Sequence, residues 1–250
     1  MGMEWSSFAM LLLVVALACA AQNLTGFAFA LIFVGLAGAM HLLPIADAAN
    51  VAGLLQLVNG FVFLRSHPFE PRWDLLKPML VSSTIGVLLG LGLLQLLSGD
   101  WVNVLRMLLG VTIIGCAFLL LSQKKGRETP SGPRAIWVAG GLSGLLGGLF
   151  STSGPPIVYH LYREPLPTAL VRQCLLVLFM SNTVVRLGVV TVAGELSRAS
   201  IVVSLAALPV VAGVTWLLAK YPPRLPVRLM QWLVCTLLFI AGASMLFQAF

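Results

Sequence analysis

Residues 135–162 read AIWVAGGLSGLLGGLFSTSGPPIVYHLY, an apolar segment interrupted by Ser151-Thr152-Ser153-Gly154-Pro155-Pro156. The arm that follows, Ile157–Tyr162, is far too short to cross a bilayer, because a helix rises about 1.5 Å per residue and the hydrocarbon core is about 30 Å thick. The segment is therefore predicted to enter the membrane and turn back as a broken helical hairpin.

A second interrupted segment opens the chain. Phe8–Ala21 is apolar, Gln22-Asn23-Leu24-Thr25-Gly26 breaks the run, and Phe27–Met40 resumes it. Each arm of about 14 residues would extend roughly 21 Å as a helix, which favours turning back at the midplane over spanning.

The composition places these segments in a polytopic membrane protein. Hydrophobic residues make up 59% of the 250, charged residues 9%, and the mean hydropathy is +1.01. The four cysteines lie inside apolar stretches without CxxC spacing, so they predict neither a disulfide scaffold nor a zinc site. Eight apolar runs are predicted, at about 8–40, 48–64, 79–98, 104–122, 135–162, 168–194, 200–220 and 229–249.

These runs form two sets of four. The first set occupies residues 1–122, the basic stretch QKKGRETPSGPR at 123–134 is the predicted cytoplasmic linker, and the second set occupies 135–250. An offset of 123 residues relates Pro44 to Pro167, Asn59 to Asn182 and Gly90 to Gly213.

Charge sets the orientation. If both interrupted segments are hairpins, the predicted cytoplasmic loops hold 12 of the 15 Lys and Arg residues, as the positive-inside bias requires. Each half then has a hairpin and three crossings, which gives an all-α fold of two inverted-topology repeats with both termini outside. Because the basic residues are scattered over short loops, we expect no nucleic-acid partner; the lipid bilayer is the expected surrounding.

Breaks at membrane depth need a chemical purpose, since unsatisfied backbone groups there cost several kcal/mol each. A half-helix that begins at the midplane presents free N–H groups to an anion, and Pro155 and Pro156 fit the first turn of the second one. Small hydroxyl, amide and glycine residues at both breaks are the predicted substrate contacts: Gln22, Asn23, Thr25, Gly26, Ser151, Thr152, Ser153 and Gly154. Nearby glycines are assigned to helix packing: Gly140, Gly141, Gly144, Gly147 and Gly148.

Arg186 lies well inside the run from Thr168 to Ala193, where a cation costs about 2.5–3.5 kcal/mol on insertion scales. It is predicted to attract an anion through its planar fork of donors, with Asn182 one turn earlier on the same face. Gln56 and Asn59 have a related spacing in the equivalent first-half helix and join the candidate site. The alternatives are that Arg186 snorkels outward or pairs structurally, and that the amides form interhelical hydrogen bonds.

The remaining titratable residues predict no metal site and no cofactor. His41 and His160 follow the two broken segments and are interpreted as interfacial, although either could carry a proton or line the path. His67 lies in a loop, and no carboxylate is expected beside a histidine at motif spacing. The acidic residues fall in loops or near helix ends, so no buried proton relay is predicted. Efflux of an anion driven by an inside-negative potential needs none, at about 2.3 kcal/mol per charge per 100 mV.

The glycine-rich broken segments, Gln22-Asn23-Leu24-Thr25-Gly26-Phe27-Ala28-Phe29 and 140–156, resemble those of the TauE/SafE sulfite exporter family. The resemblance extends over the whole chain in length, in its two halves and in the central basic linker. It implies a bacterial inner-membrane transporter of sulfite, organosulfonates or related anions. Ser151-Thr152-Ser153 departs from the family's glycine-rich continuation and leaves the anion undetermined.

Other classes stay open at the level of sequence. Each break could be a kink in a helix that spans once. The chain could be a structural or assembly subunit that binds a partner protein, or an intramembrane enzyme, although no Ser-His or Asp-Asp motif supports catalysis. The sequence does not decide whether the protein forms a homo-oligomer.

Overall fold

A computed structural model describes residues 5–25, 28–66, 72–97, 101–121, 131–221 and 227–249. Within these ranges the chain forms helices and no strand. The helices are α1 (Trp5–Thr25), α2 (Phe29–Ala39), α3 (Ile45–Ser66), α4 (Trp73–Leu97), α5 (Val102–Leu121), α6 (Pro133–Phe150), α7 (Gly154–Arg163), α8 (Thr168–Val192), α9 (Arg198–Lys220) and α10 (Val227–Phe247).

Several helices have the length and composition of membrane spans. Among the described residues, five apolar stretches qualify: Ser6–Asn23, Trp73–Leu97, Val102–Leu119, Gln173–Val192 and Arg198–Leu218. Large apolar side chains such as Leu89, Phe118 and Val192 are exposed on the outside of the bundle, as expected of a surface that faces lipid. The all-helical membrane fold predicted from the composition agrees with this architecture.

The break predicted at Gln22–Gly26 is wrong in position. Helix α1 continues through Thr25, and its 21 residues extend about 31 Å, enough to cross a hydrocarbon core. Gln, Asn and Thr are tolerated in a helix, and the Asn23 amide donates to the Cys19 carbonyl one turn earlier (2.9 Å). Helix α1 ends at Thr25 and α2 begins at Phe29, and Gly26 and Phe27 between them lie outside the described residues.

The second break lies close to its predicted place. Helix α6 ends at Phe150, Ser151 adopts a left-handed conformation with φ 58°, and α7 begins at Gly154 with Pro155 and Pro156 in its first turn, as predicted. The break is therefore three residues long, shorter than the six predicted.

The segment around this break turns back on itself. The Glu164 carboxylate, directly after α7, accepts a hydrogen bond from the backbone N–H of Ser131, two residues before α6 (3.2 and 3.3 Å to its two oxygens). This contact brings the start and the end of the α6–α7 hairpin together. Helix α7, at 10 residues, is about 15 Å long and cannot cross a bilayer alone.

Helix α6 packs against α4 more closely than side chains would allow. A Cβ at Gly144 would collide with the backbone of Ser83, and one at Gly148 would collide with the Val87 carbonyl. Gly140 likewise faces Met79 and Ser82. The packing role predicted for these three glycines is confirmed.

Most other helix contacts join the two halves in corresponding pairs. Helix α3 packs on α9 as α8 packs on α4, and α1 packs on α9 as α6 packs on α4. Helices α3 and α8 cross each other, as do α5 and α10. Near Gly53, α3 contacts Thr183 and Leu187, and near Gly60 it contacts Leu176 and Met180, so α3 and α8 run in opposite directions.

Candidate functional site

The second break is a buried polar site built around Arg186 of α8. Arg186 is 1% exposed, and its side chain is the largest of the fully buried ones among the described residues. Its Nε donates to the Gly148 carbonyl (3.0 Å) and its Nη1 to the Asn50 side-chain oxygen (2.7 Å). Both acceptors are uncharged, and no described carboxylate lies within salt-bridge distance of Arg186.

The position of Arg186 follows from the end of α6. The last carbonyls of a helix have no partner inside it and carry partial negative charge. The Ser151 N–H donates to the Gly147 carbonyl (2.9 Å), and the Arg186 side chain donates to the carbonyl of the next residue, Gly148. The break thus holds the cation in place, while the guanidinium, which has five N–H donors, still has donors without an acceptor among the described residues.

Asn182, one turn before Arg186, orients the break itself. Its side-chain N–H donates to the Ser153 hydroxyl (3.0 Å), and the Ser143 hydroxyl donates to the Ser153 carbonyl. Ser153 also approaches Gly147, where a Cβ would collide with the hydroxyl, so this glycine makes room for Ser153.

Several polar atoms at this break are buried without a partner among the described residues. They are the hydroxyls of Ser151 and Thr152 and the side-chain oxygen of Asn182. Ser151 and Thr152 are 4% and 2% exposed. Buried polar groups are hydrogen-bonded in the great majority of cases, so a cluster of unsatisfied ones beside a cation indicates a place for a polar guest.

The amides of α7 contribute less than predicted. A helix presents its first four N–H groups to an anion, but Pro155 and Pro156 remove two of them. Gly154 and Ile157 are left as the donors of the first turn. Hydroxyls and the guanidinium therefore carry most of the donor capacity here.

The residues predicted at the first break form a separate, neutral cluster. Asn23 is exposed and donates to the Thr215 hydroxyl of α9 (3.3 Å), which in turn donates to the side-chain oxygen of Asn59 (3.3 Å). Gln22 and Gln56 are half-buried, and the Gln22 side-chain oxygen is buried without a partner among the described residues. The Thr25 side chain and Gly26 lie outside the described residues.

A cavity of about 430 Å³ reaches Arg186 from the end of the bundle where α4 and α8 terminate. Its walls come from α3, α4, α8 and the start of the α8–α9 loop: Ala46, Asn50, Leu94, Gln95, Arg186, Val190 and Glu195. The cavity thus lies against the buried Arg186 on one side of the molecule.

Sequence reasoning missed Asn50, Ser143 and Thr215. Asn50 was detectable, because it is an amide in an apolar run on the helix that carries Gln56 and Asn59. Ser143 and Thr215 gave no sign, since serine and threonine satisfy themselves within many helices.

The expectation that no carboxylate lies beside a histidine is wrong. Glu164 follows His160 by four residues, and its oxygen lies 3.5 Å from His160 Nε2. His160 and Glu164 are buried, 9% and 5% exposed, so Glu164, although at a helix end, is not in a solvent-exposed loop. Residues four positions apart lie on the same face of a helix, which explains why Glu164 approaches His160 at the end of α7.

Comparison with known proteins identifies the family. The family model "Sulfite exporter TauE/SafE" matches residues 11–245. A "Probable sulfite/organosulfonate exporter TauE" of Cupriavidus necator is 28% identical over 228 residues, covering 91% of this chain and 89% of that protein. No solved structure matches the chain. The chain belongs to the TauE/SafE sulfite exporter family, a family of transporters rather than of enzymes, and is a multi-pass membrane protein.

Proposed function

We propose that this TauE/SafE family member exports a small sulfur oxyanion, sulfite or an organosulfonate, which binds at the α6–α7 break against Arg186. The observation that carries the proposal is a buried guanidinium with uncharged acceptors on Asn50 and at the end of α6, which is followed in the chain by a break with two hydroxyls that have no partner among the described residues. A sulfonate group offers three oxygens in a compact head, which matches the fork of an arginine and short hydroxyl donors.

The surroundings favour binding of an anion over a neutral solute. Burying a cation costs several kcal/mol when only neutral groups surround it. An anion bound at Arg186 would offset that cost, and oxygens that reach the break would satisfy the polar atoms of Ser151 and Thr152 that have no partner among the described residues. The first-half residues Gln22, Asn23, Thr25, Gly26, Gln56 and Asn59 would line the path and contribute less, because no charge lies among them.

The transport cycle would use two inverted repeats, residues 1–122 and 135–250 joined by the cytoplasmic linker 123–134. The corresponding helix pairs support this arrangement: α3 on α9 mirrors α8 on α4, and α1 on α9 mirrors α6 on α4. Rocking of one group of helices against the other would alternate access to the break. The localisation would be the bacterial inner membrane, with both termini periplasmic.

The test is flux of radiolabelled sulfite and methanesulfonate from proteoliposomes. Replacing Arg186 with Gln keeps much of the side-chain length and hydrogen-bonding capacity but removes the charge, and we expect flux to fall by about a hundredfold, the equivalent of roughly 3 kcal/mol. The matched control is Arg198→Gln, which removes the same charge from an exposed position at the start of α9. Equal flux in wild type and Arg186→Gln would reject the site.

The repeat arrangement has its own test. Single cysteines at Met40, after α2, and at Tyr162, near the end of α7, should react with a membrane-impermeant maleimide from opposite sides of the membrane. The native cysteines Cys19, Cys116, Cys174 and Cys235 are buried, so a wild-type sample measures the background. Labelling of both positions from one side would reject inverted topology.

A further inference from the structure

The cavity that reaches Arg186 contains a second charge at its mouth. Its buried end is formed by Arg186 and Asn50, and its outer end by the exposed Gln95 and Glu195. Among the residues that line the cavity, Arg186 and Glu195 are the two charged ones, and their charges have opposite signs.

The end of α8 fixes the backbone of Glu195. Gly194 has φ 71°, its N–H donates to the Thr191 carbonyl (3.1 Å), and the Glu195 N–H donates to the Val190 carbonyl (3.0 Å). These two bonds form a Schellman motif, in which the residue at the Glu195 position is commonly hydrophobic and packs back on the helix. Here that residue is a carboxylate, and both it and Val190 line the cavity.

Gln95, near the end of α4, holds the Glu195 side chain at the mouth. Its amide N–H donates to a Glu195 oxygen at 2.7 Å. The contact joins a residue near the end of α4 to a residue of the α8–α9 loop 100 positions later, so it ties the carboxylate to the α4 side of the mouth.

We infer that Glu195 is a specificity-determining counter-charge at the exit of the anion path, which weakens binding at Arg186 from this side and promotes release. The inference rests on the proposed function, because it requires the anion to bind at Arg186. An anion at the guanidinium is repelled by the carboxylate, and after its departure Glu195 partly compensates the buried cation. In the proposed orientation this mouth faces the periplasm, so the same charge opposes re-entry of exported anion.

The test is the dissociation constant of methanesulfonate, measured by calorimetry on the purified full chain. Glu195→Gln removes the charge and preserves the hydrogen-bonding shape, and we expect the constant to fall about fivefold, the scale of a Coulomb term of roughly 1 kcal/mol. Gln95→Leu frees the carboxylate to approach Arg186, and the constant should rise.

Asp74→Asn is the control, because it removes one negative charge from the other end of α4, where Asp74 pairs with Arg72 (2.5 Å). This variant should bind like wild type. A value for Glu195→Gln equal to that of Asp74→Asn would overturn the inference, as would a fall of the constant in Gln95→Leu.

The Arg186→Gln variant distinguishes a failure of the proposed binding site from a failure of the exit role of Glu195. If it abolishes binding while Glu195→Gln binds like wild type, the exit role of Glu195 is rejected and the proposed site stands. If Arg186→Gln binds like wild type, or wild type binds neither methanesulfonate nor sulfite, the proposed function fails and the role of Glu195 fails with it.

Discussion

The two broken segments share an outline and differ in chemistry. The first connects α1 to α2 beside neutral groups, with Asn23 exposed and bonded to Thr215. The second connects α6 to α7 in a buried setting, with Arg186 and unpartnered hydroxyls against it. The residue 123 positions before Arg186 in the sequence is Phe63. Among the described residues, a charged side chain therefore lies against the second segment and none lies against the first.

The helices that support the two breaks also differ. Helix α6 lies against α4 along glycines that meet backbone atoms directly. Helix α1 contains no glycine, and it reaches α9 through side chains such as Cys19 and Asn23. Close backbone contact leaves little room for adjustment, so the charged break rests on the less deformable helix pair.

The largest expected effect comes from disturbing that helix pair. Gly144→Ala would drive a Cβ into the Ser83 backbone, and overpacking of this kind costs about 1–3 kcal/mol. We expect the melting temperature in detergent to fall by several degrees. The control is Gly92→Ala in α4, where a Cβ would meet nothing within 4 Å. A loss as large at Gly92 as at Gly144 would show that the close contact does not matter.

A smaller effect should separate the two asparagines related by the offset. Asn182→Leu removes the donor to Ser153, worth roughly 1.5 kcal/mol, so the methanesulfonate dissociation constant should rise about tenfold. Asn59→Leu removes an acceptor for Thr215 in the neutral cluster, and its effect on the constant should stay below about threefold. Calorimetry on both variants decides the matter. Equal changes would mean that the two halves contribute alike to binding.

The smallest effect is expected in the neutral cluster itself. Thr215→Val keeps the side-chain shape but removes the hydroxyl that bonds to Asn23 and Asn59, at a cost of about 1 kcal/mol in the free energy of unfolding. Sulfite flux should hardly change. Thr236→Val is the matched control, since Thr236 bonds only to the carbonyl of Trp232 in its own helix. A fall in flux as large as that of Arg186→Gln would move the binding site to the first break.

The second break was predictable because Gly154-Pro155-Pro156 cannot continue a helix from Phe150, whatever surrounds it. The first was misplaced because Gln22, Asn23 and Thr25 fit a helix as readily as a loop, and the contacts of α1 made the choice. The pairing of His160 with Glu164 was visible as an i, i+4 spacing and was overlooked.

By itself the sequence determined the membrane environment, the second interrupted segment and the burial of one arginine, since these depend on transfer free energies and backbone chemistry that each residue carries with it. Only the tertiary structure decided which groups meet: Asn50 and Gly148 at the guanidinium, Asn182 at Ser153, and Glu195 at the mouth of the cavity. Those contacts join residues 29 to 136 positions apart or lie across a cavity between helices. Helix periodicity specifies which face of a helix is polar, but the close approach of α4 and α6 and the crossing of α3 with α8 fix what that face touches.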